Sequence, residues 1–426
     1  YRTLGSRASL ILFAALMVVS HFVVAHIQGS SRRKVLSLVA LGVVVIGGML
    51  GSWDLSNFHL RLAQRPQDVL GAVRAGRFEE FKQGAEVVAF EDGPAATVSV
   101  VEVEGLYPSM YINGKPDASE NLFDMKTQFL VGALPVLFHG GDPAEMKALV
   151  IGLGSGVTTN AVDSAGVTDL TTVEISPKVV EMADRYFQKS NEGAVTRTRV
   201  VVDDGRDFVA NTEERYDVLI SEPSNPWISG VSNLFTDEYF AMAADRMNPG
   251  GVFCQWMHYY STNVELVYGV TATLRRNFRD VHVFLLAGDL VFLASNEPLT
   301  PRWERFADPP ERVRRMLATV GFAEPTEVLR HYLWSPDVVT GLRTSYPPNT
   351  DDRPWLEFDA PRFMINSTTT GEVDRIVREV PGGLARSPLA LPVPLTDGPV
   401  LPDPFALDVR GVPSSYRRAS AGHEVH

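Results

Sequence analysis

The sequence holds a single cysteine, Cys254, in 426 residues. No disulfide within the chain and no cysteine metal cluster can therefore form. Its nine histidines show no zinc-like spacing with a nearby acid, so no bound metal is expected. Basic residues are the minority, 39 against 51 acidic, for a net charge of -12. That balance argues against a nucleic-acid surface and suits a solvated acidic exterior, or a small cationic substrate. Cys254 itself lies in the apolar run 252–257 and reads as core.

Long apolar runs are confined to the start. Residues 8–27 are broken only by Ser9, Ser20, His21 and His26, and residues 35–53 hold no charge. Both approach the ~20 residues that a membrane-spanning helix needs, and two such helices are expected over 1–53. A signal peptide would not be followed by a second span, and a buried helical hairpin would carry a polar stripe. Arg32, Arg33 and Lys34 lie between the runs, balanced by Arg2 and Arg7 before them and Arg61 and Arg65 after, so basic-residue bias does not fix the orientation. The chain begins at Tyr1 rather than Met, which leaves room for upstream residues and further spans.

Residues 54–84 read as a polar connector. From Glu86 to Ile112 strand-like runs are separated by Gly93-Pro94 and followed by Asn113-Gly114, a strong hairpin signal. With a lid helix over 122–138, carrying Gln128 in its middle, they make a small antiparallel β domain at 85–140. Over 141–300 strands (148–152, 170–175, 198–202, 216–221, 251–257, 281–286, 290–294) mostly alternate with helices (177–188, 235–247, 264–278). Such alternation means an α/β, Rossmann-like doubly wound sheet, closed here by an antiparallel pair. A helical extension follows at 301–379, and 380–426 is a Pro-rich tail with little periodicity.

The stretch that organises this domain is Ala148-Leu149-Val150-Ile151-Gly152-Leu153-Gly154-Ser155-Gly156. A buried strand breaks into alternating glycines at the start of a helix, where backbone can approach a ligand closely. About twenty residues on, Glu174 ends the next apolar run, where doubly wound sheets place the acid that grips ribose hydroxyls. Val157 departs from the dinucleotide fingerprint, so an adenosyl ligand without a pyrophosphate is expected. Open parallel sheets bind ligands beyond the carboxyl ends of their strands, and the next two strands also end in polar groups. One gives Asp203-Asp204-Gly205, with an acid for an adenine amino group. The other gives Ser221-Glu222-Pro223-Ser224-Asn225-Pro226-Trp227. Glu222 is the candidate general base: a carboxylate that binds an ammonium and takes its proton makes the amine nucleophilic. Asn225 could orient that nucleophile and Trp227 could wall the pocket. The competing readings are a helix cap for any single acid, and an ion pair with Arg206 or another base for Glu222.

From about residue 90 to 358 the chain resembles the spermidine synthase (aminopropyltransferase) family, and most closely its bacterial branch fused behind membrane helices. The resemblance rests on Asn113-Gly114-Lys115-Pro116-Asp117-Ala118-Ser119, the glycine turn, Val202-Asp203-Asp204-Gly205-Arg206, the Glu222 loop and 349–354. It implies an adenosyl site formed by Gly152, Gly154, Ser155, Gly156, Glu174, Asp203, Asp204 and Gly205, with Gln128 and Asn225 on the substrate. There are departures. Ser155 stands where the family has an Asp for the amine of decarboxylated S-adenosylmethionine. The family's Asp-Ser-Ser-Asp-Pro loop becomes Glu222 and neutral Asn225, and its Tyr-Gln pair becomes Thr127-Gln128. One carboxylate lost beside an ammonium costs about 1.5–3 kcal/mol of binding.

Three readings stay open: a membrane-anchored transferase moving an aminopropyl group to a small amine, a methyltransferase using S-adenosylmethionine, or a silent subunit of a membrane complex. Either donor is made in the cytoplasm, so an active domain should face it from a bacterial inner membrane. The resemblance also implies a homodimer, and the spans and tail could contact membrane-complex partners.

Overall fold

The computed structural model describes residues 5–27, 29, 36, 39, 40, 42, 85–103, 107–260, 262–286, 288–299 and 302–366. Most of the second expected span (35–53), the whole connector 54–84 and the tail 380–426 lie outside them. The chain divides into two compact units, one comprising 1–120 with 176–187 and the other 121–175 with 188–426.

In the first unit, Gly5–Ile27 is an α-helix whose apolar side chains, Phe13, Leu16 and Met17 among them, are exposed. Among the described residues no helix is long and apolar enough to cross a membrane, so the expected span at 8–27 gains no support. Polar positions interrupt the run, and the Ser20 hydroxyl turns back on the Leu16 carbonyl at 2.8 Å. Strands β1 (Ala85–Asp92), β2 (Thr97–Val103), β3 (Pro108–Ile112) and β4 (Lys115–Ser119) form an antiparallel meander in chain order. The Asn113-Gly114 turn has φ of 50° and 83°, the doubly left-handed geometry that matches strand twist in a two-residue hairpin. The helix Pro177–Tyr186 belongs to this unit, with Lys178 on Glu91 at 3.2 Å and the Tyr186 hydroxyl on the Val88 carbonyl.

The second unit is built on an eight-stranded sheet. Its strands are β5 (Lys147–Ile151), β6 (Asp169–Glu174), β7 (Arg199–Val202), β8 (Tyr216–Ser221), β9 (Met247–His258), β10 (Asp280–Leu286), β11 (Asp289–Ser295) and β12 (Tyr332–Trp334). Their order is β12-β10-β11-β9-β8-β5-β6-β7. β5 to β9 run parallel, and β11, β10 and β12 add antiparallel. The chain leaves β5 toward β6 and β7, then returns to the other side of β5 with β8. That reversal makes the carboxyl ends of β5 and β8 the topological switch point, where such sheets hold ligands.

Two cores cover the two faces. One packs Leu149, Leu219, Phe253 and Phe292 with Tyr239, Phe240 and Leu274; the other packs Val150, Ile220, Cys254 and Leu293 with Phe129, Leu134 and Phe138. Each strand alternates its side chains between the faces, as the two-residue period requires. The helix Leu122–Phe138, expected as a lid, is buried at every residue from Thr127 to Phe138. Gly132 allows this: a Cβ there would sit 2.5 Å from the Thr158 carbonyl oxygen, so two helix backbones meet almost directly. Pro135 leaves the Val131 carbonyl without its helical partner, and the Cys254 thiol donates to it at 3.6 Å. The lone cysteine is thus core, with burial as the first cause raising its pKa.

Candidate active site

The glycine turn takes left-handed backbone at Gly152 (φ 94°), Gly154 (φ 51°) and Gly156 (φ 83°). Gly156 caps the helix Val157–Ser164. Gly152 is closely packed: its N–H donates to the Val173 carbonyl at 2.9 Å, and a Cβ would lie 2.2 Å from the Glu222 carbonyl oxygen. The first glycine and the candidate base are therefore in backbone contact at the switch point, with the Glu222 N–H bound to the Ile151 carbonyl at 2.9 Å.

Glu174, only 7% exposed, ends β6 and accepts the Leu153 N–H on Oε2 at 3.0 Å. The turn thus holds one edge of the carboxylate that faces the expected ribose. Beside it, Ile175 and Val202 are 54% and 52% exposed, although Val202 is Glu174's register partner in the sheet. Two apolar side chains left uncovered at strand carboxyl ends offer a wall for a flat, apolar-faced ring.

The next acids are differently employed. Asp204 caps the helix Gly205–Asn211, its Oδ1 accepting from the Arg206 and Asp207 N–H groups at 2.8 and 3.1 Å. Asp203 turns Oδ1 onto the Asp204 N–H at 2.9 Å. Gly205 is required by packing, since a Cβ would sit 2.3 Å from Ile151 Cγ2.

In the glycine turn Ser155, fully buried, donates its hydroxyl to Gln128 Oε1. The Thr158 hydroxyl holds the Gln128 carbonyl at 2.9 Å, so Gln128 is fixed by the turn it faces. Its neighbour Thr127 donates to Asp289 Oδ2 at 2.7 Å. The Arg206 guanidinium is engaged with Asp351 (2.5 Å) and the Asn233 carbonyl (2.6 Å). Asn225 is fully buried: Nδ2 donates to the Tyr260 hydroxyl at 3.1 Å and Oδ1 has no partner. Trp227 meets the ring of His258 edge-on at 4.2 Å between centroids, with Tyr260 5.2 Å from His258. Among the described residues no group of three or more His, Cys, Asp or Glu could hold a metal ion.

The structure thus brings Gln128, the glycine turn, Glu174, Asp203, Asp204, Glu222 and Asn225 to one edge of one sheet. Sequence reasoning missed His258, Tyr260 and Asp289. His258 ends an apolar strand and Asp289 opens another; the one local signal was a turn at Gly288. Antiparallel pairing of β9 with β11 makes Asp289 and His258 register partners and carries both to the ligand edge.

Residues 128–287 match the spermine/spermidine synthase domain family. The polyamine aminopropyltransferase of Serratia proteamaculans is 39% identical over 123 residues, 28% of this chain and 42% of the relative. That of Aeropyrum pernix is 31% identical over 192 residues, 44% and 60% of the two chains. The chain thus spans about two-fifths to three-fifths of these curated relatives. Among solved structures, a spermidine synthase in complex with the transition state analogue AdoDATO aligns at TM-score 0.49 and 18% identity, over 55% of this chain and 85% of that one. A probable spermidine synthase from Corynebacterium glutamicum aligns at 0.45 and 15%, over 62% and 97%.

Proposed function

From a chain that belongs, over residues 128–287, to the spermine/spermidine synthase domain family, we propose a membrane-attached aminopropyltransferase that uses decarboxylated S-adenosylmethionine as donor and a small amine as acceptor. The observation that carries this reading is the convergence at the switch point. The glycine turn and Glu174 supply an adenosyl cradle, and the Glu222 backbone touches Gly152 directly. A carboxylate is then poised beside the place where a donor's sulfonium would lie.

In this reading Glu174 accepts the ribose hydroxyls, Ile175 and Val202 flank the adenine, and Asp203 and Asp204 border its edge. The acceptor amine attacks the propyl carbon bound to sulfur. The C–S bond breaks with its electron pair going to sulfur, methylthioadenosine leaves, and Glu222 takes the proton released by nitrogen. Holding two reactants in line is most of what such a displacement needs, and a base in hydrogen-bond reach of the amine adds typically 10²–10⁴-fold.

One observation favours a second reading. Ser155 is uncharged, buried and engaged with Gln128, so the turn offers no counter-charge to a donor amine; S-adenosylmethionine with methyl transfer would then be the reaction. Incubating the full chain with each donor and a set of amines separates the two. Methylthioadenosine as the nucleoside product supports aminopropyl transfer, and S-adenosylhomocysteine overturns it.

Membrane attachment rests on the exposed apolar side chains of Gly5–Ile27 together with the apolar run 35–53. Donor supply places the catalytic unit on the cytoplasmic side. Carbonate-resistant sedimentation of the full chain with membranes tests it; release into the wash overturns it.

A further inference from the structure

Glu222 opens a loop that runs to Phe235 and carries Asn225 and Trp227. Successive tight turns fold its backbone: the Ile228 N–H donates to the Asn225 carbonyl at 2.9 Å, and the Val231 N–H to the Ile228 carbonyl at 3.0 Å. Each turn passes the position of one end to the other, so whatever holds Val231 and Ser232 also holds Asn225 and Trp227. The holder comes from 125 positions away in the chain. Glu357, in the first turn of the helix Trp355–Asn366, accepts the Ser232 hydroxyl on Oε2 at 2.7 Å and the Ser229 hydroxyl on Oε1 at 3.4 Å. We propose that Glu357 is a positioning residue for the transfer: its carboxylate holds the loop and so sets Asn225 and Trp227 at the carboxyl end of β8. This rests on the transferase reading, with either donor.

Both sides of this contact stand on fixed backbone. Ser232 is fully buried, and a hydroxyl bound to a carboxylate is held more strongly than one bound to a neutral acceptor. On the other side Leu356 is fully buried, with its N–H on Asn349 Oδ1 at 3.2 Å. The Glu357 N–H donates to the Pro354 carbonyl at 3.1 Å. Trp355 stacks on Tyr346 at 4.2 Å between centroids and donates its Nε1–H to the Pro347 carbonyl at 2.9 Å. Asn349 also reaches the loop's end: its Nδ2 donates to the Phe235 carbonyl at 3.0 Å, and its own carbonyl accepts the Asp237 N–H at 2.7 Å. The loop is thus fastened at its start to β5 through the Glu222 N–H, in its middle to Glu357 and at its end to Asn349. The middle contact is made by side chains through one carboxylate. Its loss frees the turns between Pro226 and Ser232 and leaves both ends fastened.

The test compares wild type, Glu357→Ala, Glu357→Gln, Ser232→Ala and the double variant of Glu357→Ala with Ser232→Ala, all in the full chain. Arg362→Ala, which breaks a pair with Asp359 on the same helix, is the control and should match wild type. Hydrogen–deuterium exchange is followed over 223–235 and over 148–156, alongside kcat, KM and methylthioadenosine affinity. Glu357→Ala should speed exchange at the Ile228 and Val231 amides and lower kcat about 10- to 100-fold as the loop shifts by up to ~1 Å. Exchange over 148–156 and methylthioadenosine affinity should stay as in wild type. Glu357→Gln keeps an oxygen for Ser232 and should recover most of the loss. The double variant should fall no further than Glu357→Ala, because both changes remove the same bond. Unchanged exchange over 223–235 overturns the proposal, as does faster exchange with unaltered kcat, or losses that multiply in the double variant. A wild type that turns over neither donor defeats the transferase reading, and exchange alone then decides whether Glu357 anchors the loop.

Discussion

Replacing Gly152 by Ala tests the contact on which the site depends. The added Cβ would sit 2.2 Å from the Glu222 carbonyl oxygen, and a carbon–oxygen contact needs ~3.3 Å, so the ends of β5 and β8 must part by about 1 Å. The backbone adds its own cost. At φ 94° a residue with a Cβ is strained by roughly 1–2 kcal/mol, and forcing strand ends apart in a packed sheet costs roughly 1–3 kcal/mol. A total of about 2–5 kcal/mol lowers the melting temperature by roughly 5–20 °C for a unit of this size. Because the displaced backbone carries Glu222, a shift of ~1 Å should lower turnover about 100-fold even where the variant stays folded. Thermal melting and methylthioadenosine release, measured on the same preparation, read the two effects. Gly321→Ala is the internal control: its φ of 91° carries a similar backbone strain, but a Cβ there would meet nothing within 4 Å and it lies outside the site. A Gly152→Ala protein that melts and turns over like wild type would falsify the proposed geometry.

Further outcomes follow from the same site and its supporting core. Glu222→Gln should cut turnover by about 10²–10⁴-fold and leave methylthioadenosine affinity unchanged; equal activity would remove Glu222 as base. Glu174→Gln keeps an oxygen for the Leu153 N–H but removes the charge that the proposed reading sets on the ribose, and should weaken nucleoside binding by about 10- to 100-fold in a calorimetric titration. Burial pulls the imidazoles of His282 and His331 down to about 4. Both are therefore neutral in the folded state, while the unfolded chain protonates them near 6.5. Their contribution is whole above about pH 6.5 and is lost as pH falls toward 4, by up to ~3 kcal/mol each. Urea unfolding at pH 7.5 and 4.5 should show this loss, and His282→Phe should reduce it; an unchanged pH dependence would contradict the assignment to buried histidines.

Much of the second unit can be read directly from local pattern. Apolar runs such as 148–151 and 216–221 are strands, and their alternation with helices gives a doubly wound sheet. Each of these signals lies within a few residues of chain, where side-chain period and turn chemistry act. Glu174 falls where the pattern puts it. The expected span at 8–27 shows the limit of hydropathy counting: it yields a helix, and no helix among the described residues is long and apolar enough to cross a membrane.

What sequence alone could not settle was how each acid is used. Asp203 and Asp204 are read together as adenosyl contacts, yet Asp204 spends an oxygen capping its own helix. Asn349 marks a polar loop in sequence, but is fully buried, tying the Phe235 carbonyl to the Leu356 N–H. Asp289 and His258, 31 positions apart, face one another only because β9 and β11 run antiparallel. The chain therefore writes its strands, turns and glycine cradle in local period and spacing. The pairing of distant strands, which no local pattern encodes, decides which acids share an edge and which are consumed by the fold.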